Sequence, residues 1–311
     1  MRRFLAACSL LALFSLCAFA QQSTPPTLRV VTEDPTLPSD LYYGDTRVKP
    51  VRLRPGTNQR ITIDDSDFFV QQQYIDFLSR FPDASGFGDW MNYLAACNGD
   101  NTCLNAVGGR RVTVSANFFL STEFQIKGFY AFRFYKAAFN RLPEYAEMTA
   151  DMRAVTGTTS QEVFQKKAAY AQAFVQRAEF AAAYGSLAND AYVNALMDRY
   201  QLASIRTPNP AAPDDNADTS KVTLTRAQLV SQLNGATLTR AQVLRAVVDS
   251  DQVGSAEFTS GFVSMQYYGY LRRKPDPSGY ADWTNYLNAH PRDFNTMVFG
   301  FVYSPEYRNR F

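Results

Sequence analysis

Side chains able to do acid–base, nucleophilic or metal chemistry are few and scattered in this 311-residue chain. The one histidine, His290, sits in Asn288-Ala289-His290-Pro291, at the end of a helical stretch. A hydrolytic triad or a metal centre needs histidine or cysteine within reach of carboxylates, and a single histidine cannot build a two-histidine metal motif. No Gly-x-Ser-x-Gly elbow and no phosphate-cradling glycine loop occurs. Acids cluster as Asp64-Asp65 with Asp67, and as Asp214-Asp215 with Asp218. A glycosidase would need two carboxyls about 5–10 Å apart in a cleft. Calcium would need about six to eight oxygens, and the EF-hand spacing is absent. Both clusters fall where helix caps and linkers belong. A sharper candidate is repeated: Asp83 and Asp89 beside Trp90, and Asp276 and Asp282 beside Trp283. These residues would make a carboxylate-lined pocket with the indole as a sugar platform, or, more plainly, caps beside a packed tryptophan. No catalytic set, no metal and no cofactor is expected.

The first twenty residues read as a cleaved export signal. Arg2-Arg3 precedes an apolar run from Phe4, and Ala18-Phe19-Ala20 fits the small-x-small cleavage rule. Removing Arg2 and Arg3 from 31 basic residues leaves 29 against 29 acidic. A nucleic-acid binder normally carries a basic surplus, so no nucleic-acid partner is expected. No later stretch is both long and free of charge, so no membrane span is expected in the mature chain. Cys97 and Cys103 flank an Asn/Gly/Asp loop. In an oxidising compartment they should pair, which for so short a ring is worth roughly 2–2.5 kcal/mol. The protein is expected in the periplasm or at the cell surface.

The elements that position these residues are helical. Residues 21–63 form an extended, partly disordered lead-in rich in Pro, Gln and Thr, with strand-like alternation confined to Val51–Ile63. A first helical module is expected over 64–205, a solvated linker over 206–220 and a second module over 221–311. Thr159 with Glu162 reads as a capping box, and Thr225 and Thr239 begin two copies of Leu-Thr-Arg-Ala-Gln as N-caps. Gly235 should close the first of those helices.

The most informative feature is internal. Tyr74–Leu94 aligns without gaps to Tyr267–Leu287 at an offset of 193, with 12 of 21 positions identical and both tryptophans of the chain included. Each copy is followed by Ser-x-Glu-aromatic, at Ser121-Thr122-Glu123-Phe124 and Ser304-Pro305-Glu306-Tyr307. Ser255-Ala256-Glu257-Phe258 repeats that pattern and Arg177-Ala178-Glu179-Phe180 echoes it. A divergent middle copy keeps Tyr135, Arg141 and Pro143 but lacks the Asp, Gly and Trp. The unit reads as a helix over Ser66–Leu78, a corner, then two further helices. Pro82 and Pro275 stop helical continuation. Asp83 and Asp276 can start the next helix as N-cap or Asx-turn, with Ser85 as the competing cap in the first copy; Gly86 and Gly279 allow close packing, and Trp90 and Trp283 pack back on the first helix. Truncating such a tryptophan should cost roughly 3–5 kcal/mol. Arg80 and Arg273 should lie over helix-end carbonyls or pair with Glu123 and Glu306.

Arg-x-Pro-Asp-x-x-Gly followed by Trp, with a later Ser-x-Glu-aromatic, resembles the bacterial domain-of-unknown-function family numbered 4214. That family occurs in secreted and surface-layer proteins and is distantly similar in fold to phycobilisome linker domains. The resemblance spans about Asp64–Phe311, and it implies a helical, non-catalytic module with no defined active site. The expected fold is therefore all-α: duplicated helix–corner–helix units packed as a bundle behind an extended lead-in. The expected function is an exported interaction or scaffolding protein of the cell envelope that binds polysaccharide or another surface protein. The alternative is an envelope carbohydrate-active enzyme with a divergent carboxylate site.

Overall fold

Helix α1 (Ser66–Leu78) ends at Ser79, which takes a left-handed conformation (φ 53°) and donates its N–H to the Tyr74 carbonyl. A left-handed residue turns the chain out of the helix while satisfying a terminal carbonyl. The same device recurs at Asn140 (φ 52°), Gln201 (φ 54°) and Arg272 (φ 53°). Positions 79, 140 and 201 are spaced 61 residues apart, and 272 follows after a longer interval. The computed structural model describes residues 28–31, 40–43, 46–48, 52–54, 56–211 and 221–311. The export signal at 1–20 and the acidic trio Asp214, Asp215 and Asp218 lie outside the described residues.

Four successive units are built around these corners. Unit one holds α1, α2 (Ala84–Ala95), the short α3 (Asn101–Asn105), α4 (Arg110–Leu120) and α5 (Thr122–Ile126). Unit two holds α6 (Gly128–Phe139), α7 (Tyr145–Ala154), α8 (Ser160–Phe174) and α9 (Ala178–Tyr184). Unit three holds α10 (Asn189–Asp198), α11 (Arg226–Asn234), α12 (Arg240–Val248) and α13 (Asp251–Ala256). Unit four holds α14 (Phe258–Gln266), continued by a π-helical turn (Tyr267–Leu271), then α15 (Pro277–Ala289), α16 (Phe294–Val302) and α17 (Pro305–Arg308). Each unit is thus a first helix, a left-handed corner, two return helices (with the short α3 between them in unit one) and a short final helix. The fold is all-α, as its periodicity implies.

The caps explain where these helices begin. Asp83, Asp276, Asp100, Ser121, Thr225, Thr239, Ser250 and Ser304 each accept a backbone N–H at a helix start. Thr225 with Gln228, and Thr239 with Gln242, complete reciprocal capping boxes. Gly235 is the C-cap of α11, as expected, with an ordinary negative φ, and the left-handed conformation falls on Ala236 beside it. Two local expectations are corrected. Thr159 accepts the Glu162 N–H, but the Glu162 carboxylate takes the N–H of Thr158, so the reciprocal box does not form. Ser255 lies inside α13, whose cap is Ser250, so Ser255-Ala256-Glu257-Phe258 is not a copy of the capping element.

Strands are peripheral. In the lead-in, β1 (Leu28–Val31), β2 (Asp40–Tyr43) and β3 (Thr46–Val48) pair antiparallel, with Leu28 opposite Tyr43 and Leu41 opposite Val48. β4 (Arg52–Leu53) pairs with β5 (Arg60–Ile61). Paired strand therefore begins well before Val51, where the sequence shows no alternation. Between the first two helices of unit three, β6 (Ser204–Pro208) pairs with β7 (Lys221–Thr225), placing Ile205 opposite Leu224. Ile205 and Thr207 are fully buried. Residues on either side of 212–220 thus form a hairpin packed on α12 and α13, where a solvated linker between modules was expected.

One continuous apolar core runs from Ile63 to Tyr307 through all four units. α6 and α8 pack on α12, α13 packs on α14, and unit four returns to unit one through α16 on α4 and the π turn on α1. Phe77 meets Tyr270 edge to face at 5.2 Å, and Phe68 meets Phe311 at 5.4 Å. Because α1 lies between α4 and the π turn, it buries Gln72, Gln73 and Asp76 as well as its apolar stripe. The array of units is closed.

Candidate functional site

The repeated corner has the same geometry in units one and four. Arg80 donates from Nε and Nη2 to the two carboxylate oxygens of Glu123, both at 2.7 Å, and lies over the Tyr74 ring at 4.9 Å. Arg273 does the same with Glu306, at 2.7 and 3.1 Å, over Tyr267 at 5.2 Å. Each guanidinium also reaches the following carbonyl, of Phe81 or Lys274, and the capping Asp83 or Asp276. A two-pronged Arg–carboxylate pair fixes orientation as well as charge. Asp83 and Asp276 each accept the N–H three residues on, from Gly86 and Gly279, at 2.8 Å. Those bonds hold both carboxyls below the ordinary carboxylate range. Burial pushes Glu123 upward, but Arg80 and Lys127 outweigh it and keep the carboxyl ionised to lower pH.

The tryptophans have like surroundings. Trp90 lies 5.9 Å from Phe118 and 6.2 Å from Tyr93; Trp283 lies 6.2 Å from Phe301 and 5.8 Å from Tyr286. Tyr74 and Tyr267 complete each cluster edge to face, against Phe118 and Phe301. Both indoles are half-buried, and Asp89 and Asp282 are exposed on the return helix. An interior tryptophan was expected here; partial burial lowers the cost of truncation below the 3–5 kcal/mol range for enclosed sites. Asp83 and Asp276, the acids that would line a sugar pocket, have their oxygens engaged by the cap and the arginine.

The glycines of the motif are required sterically. A Cβ at Gly86 would stand 2.3 Å from the Tyr74 hydroxyl, and one at Gly279 would stand 2.2 Å from that of Tyr267. The tyrosine ring is rigid and held by its aromatic neighbour, so the helix must move away. Gly86→Ala and Gly279→Ala are each expected to lower stability by about 1–3 kcal/mol in urea unfolding. Alanine's helix propensity would otherwise favour it at these positions. Unchanged or raised stability would show that the close approach is not needed.

Unit two keeps the frame and changes the filling. Arg141 grips Glu179 (2.8 and 2.7 Å) and also Glu147 (2.8 and 2.8 Å), over the Tyr135 ring at 4.9 Å. Arg177-Ala178-Glu179-Phe180 is therefore equivalent to the Ser-x-Glu-aromatic element in its glutamate, though Arg177 makes no side-chain cap. At the 61-residue spacing Glu147 stands for Gly86 and Asp151 for Trp90. Asp151 is buried and accepts from Tyr135 Oη (2.6 Å), Tyr170 Oη (2.8 Å) and Arg177 (2.6 Å). A polar knot thus replaces the indole.

The other chemistry-bearing residues are placed as follows. Arg54 bridges Asp65 and Asp67, and Asp64 pairs with Arg308. Cys97 and Cys103 stand at disulfide distance, with Cα atoms 5.6 Å apart. His290 ends α15 and stacks on Tyr286 at 4.5 Å. Among the described residues no group of three or more His, Cys, Asp or Glu could hold a metal ion, and no helix is long and apolar enough to cross a membrane.

A buried charge cluster joins units two and three, and no local sequence signal announces it. Arg133 (3.1 Å) and Lys167 (3.3 Å) converge on Asp249, with Arg245 Nε at 3.7 Å. These side chains are 6–13% exposed. Lys167 also lies 4.1 Å over the Tyr130 ring. Burial pushes the Lys167 ammonium down to about 8, with Arg245 and Arg133 adding to the fall and Asp249 opposing it. A lysine whose folded-state value is depressed binds fewer protons than in the unfolded chain, so its penalty is fully present below pH 8 and fades as pH rises towards 10.5. The full penalty is roughly 3 kcal/mol. Stability relative to Lys167→Met is therefore expected to rise by about 2 kcal/mol between pH 7.5 and 9.5. A flat difference across that window would overturn this.

No curated protein and no solved structure matches the chain. The family model described as Domain of unknown function (DUF4214) matches residues 251–311, from α13 through α17. That span contains Arg273, Pro275, Asp276, Gly279, Trp283 and Glu306 in the geometry given above. It is thus the last structural unit of this chain, with the short helix that precedes it, that matches the DUF4214 family.

Proposed function

We propose that this protein is an exported, non-catalytic interaction or scaffolding protein of the cell envelope, contacting surface polysaccharide or another envelope protein. The observation that carries the reading is where apolar side chains face solvent. Among the described residues four of the five exposed large apolar side chains, Phe81 (58% exposed), Val107 (42%), Leu120 (40%) and Tyr93 (37%), belong to unit one, and the fifth, Leu53 (48%), lies in the lead-in before it. Exposed apolar groups gathered on one part of a surface mark contact sites. The motif acids support the same reading, because caps and arginine pairs occupy them in both full units.

The test uses residues 21–311, retained on purified envelope polysaccharide or surface-protein fractions, against Phe81→Ser with Tyr93→Ser. Retention by the parent and its loss in the folded double variant are expected. Equal retention by both would overturn the assignment to unit one. Release of sugar from the retained glycan would favour the carbohydrate-active alternative. Recovery of the chain in the cytoplasmic fraction of its own cells would overturn export.

A further inference from the structure

We propose that the groove between α8 and α12 binds a small organic oxyanion, a carboxylate or phosphate ester with a short apolar tail, anchored by Arg245. The groove has a volume of about 180 Å³. Ala168, Ala169, Ala171 and Ala241 form its walls, Gln172 and Gln242 its rim, and Arg245 its charged end. A smaller cavity of about 10 Å³ adjoins it, lined by Thr207, Arg245 and Asp249 among others, and sharing Pro210 with the groove.

Three observations point to an anion. First, three cations, Arg133, Lys167 and Arg245, face one carboxylate, Asp249, in a largely buried cluster. Buried charge is costly unless paired, so the cluster leaves a demand for negative charge. Second, Asp249 lies nearer to Arg133 and Lys167 than to Arg245, whose Nε at 3.7 Å is beyond hydrogen-bond reach. Arg245 lines both cavities, and a guanidinium suits a planar or tetrahedral oxyanion. Third, Thr207 Oγ1 is buried without a hydrogen-bond partner among the described residues, beside Arg245 in the smaller cavity. A buried hydroxyl in that state has a donor to offer.

The alanine walls set the rest of the ligand. A fully hydrated inorganic ion gains nothing from methyl groups, whereas each buried methylene of a tail contributes about 0.8 kcal/mol. At about 10 Å³ the inner cavity admits a single atom or water, so the tail occupies the larger groove.

The test measures thermal stabilisation and calorimetric binding of the mature chain with butyrate, propyl phosphate, acetate and inorganic phosphate, against chloride at equal ionic strength and pH 7. Saturable binding of butyrate or propyl phosphate is expected, at least threefold tighter than acetate or inorganic phosphate respectively. Arg245→Gln is expected to weaken it at least tenfold. Ala169→Glu, at an exposed position on the groove wall, should weaken it equally while leaving the core intact. Effects no larger than chloride's, equal affinity with and without the tail, or wild-type affinity in both variants would each overturn the proposal.

Discussion

Asp249→Asn is expected to lower the unfolding free energy by about 3–5 kcal/mol at pH 7, measured by urea denaturation. The size follows from what remains. Arg133 would stay buried on the Val248 carbonyl (2.8 Å), and Lys167 would stay over Tyr130, with no carboxylate between them. Removing one member of a buried set costs more than the set contributes, because the partners stay desolvated and uncompensated. The loss should shrink in Asp249→Asn combined with Lys167→Met, since one of the repelling cations is then gone. It should also shrink above pH 8, where Lys167 gives up its proton. A loss under 1 kcal/mol, unaltered by either change, would mean that the cations do not depend on Asp249.

Asp76→Asn should cause a loss of similar size, about 3–5 kcal/mol, at a different seam. The Asp76 side chain is 1% exposed and accepts from Arg310 (2.8 and 3.3 Å) and Gln72 (2.8 Å), with Arg272 at 3.8 Å. Arg310 in turn donates to the carbonyls of Gly269 (2.8 Å) and Tyr270 (2.6 Å) in the π turn. This carboxylate therefore ties the first helix of unit one to the end of unit four. Hydrogen exchange should accelerate together in α1, the π turn and α17, while α8 and α12 keep their protection. The reverse pattern is expected for Asp249→Asn. Uniform acceleration in both variants would show that the two seams are one cooperative element.

What could be read from sequence follows from how local each feature is. The bounds of α1, the caps of α2, α11, α12 and α15, and the frame of the Tyr–Arg–Glu corner rest on residues within a few turns of one another. Arg141 and the echo at Arg177-Ala178-Glu179-Phe180 were both visible, but their pairing was not, because Glu147 and Asp151 replace the Gly and Trp that make the motif recognisable. Unit three was concealed further. Its left-handed residue is Gln201, its corner lacks the Tyr and Arg, and a hairpin separates its first two helices. Pairing of β6 with β7 joins residues across an apparent linker. The charge cluster joins Arg133 to Asp249 across 116 positions. Nothing in the neighbourhood of either residue distinguishes it from an ordinary surface charge. Partial burial of Trp90 and Trp283 is likewise set by how far α4 and α16 cover α2 and α15, which periodicity does not encode.

Closure of the array also bears on the loss of a repeat. In an open superhelix a repeat can be added or lost at either end, because each one touches only its neighbours. Here the last repeat rests on the first, so losing an end repeat would uncover apolar surface on the neighbour at each side. Assembly must also wait for contacts between α1 and the π turn, roughly 200 residues apart, so the first repeat cannot reach its final stability until the last has been synthesised.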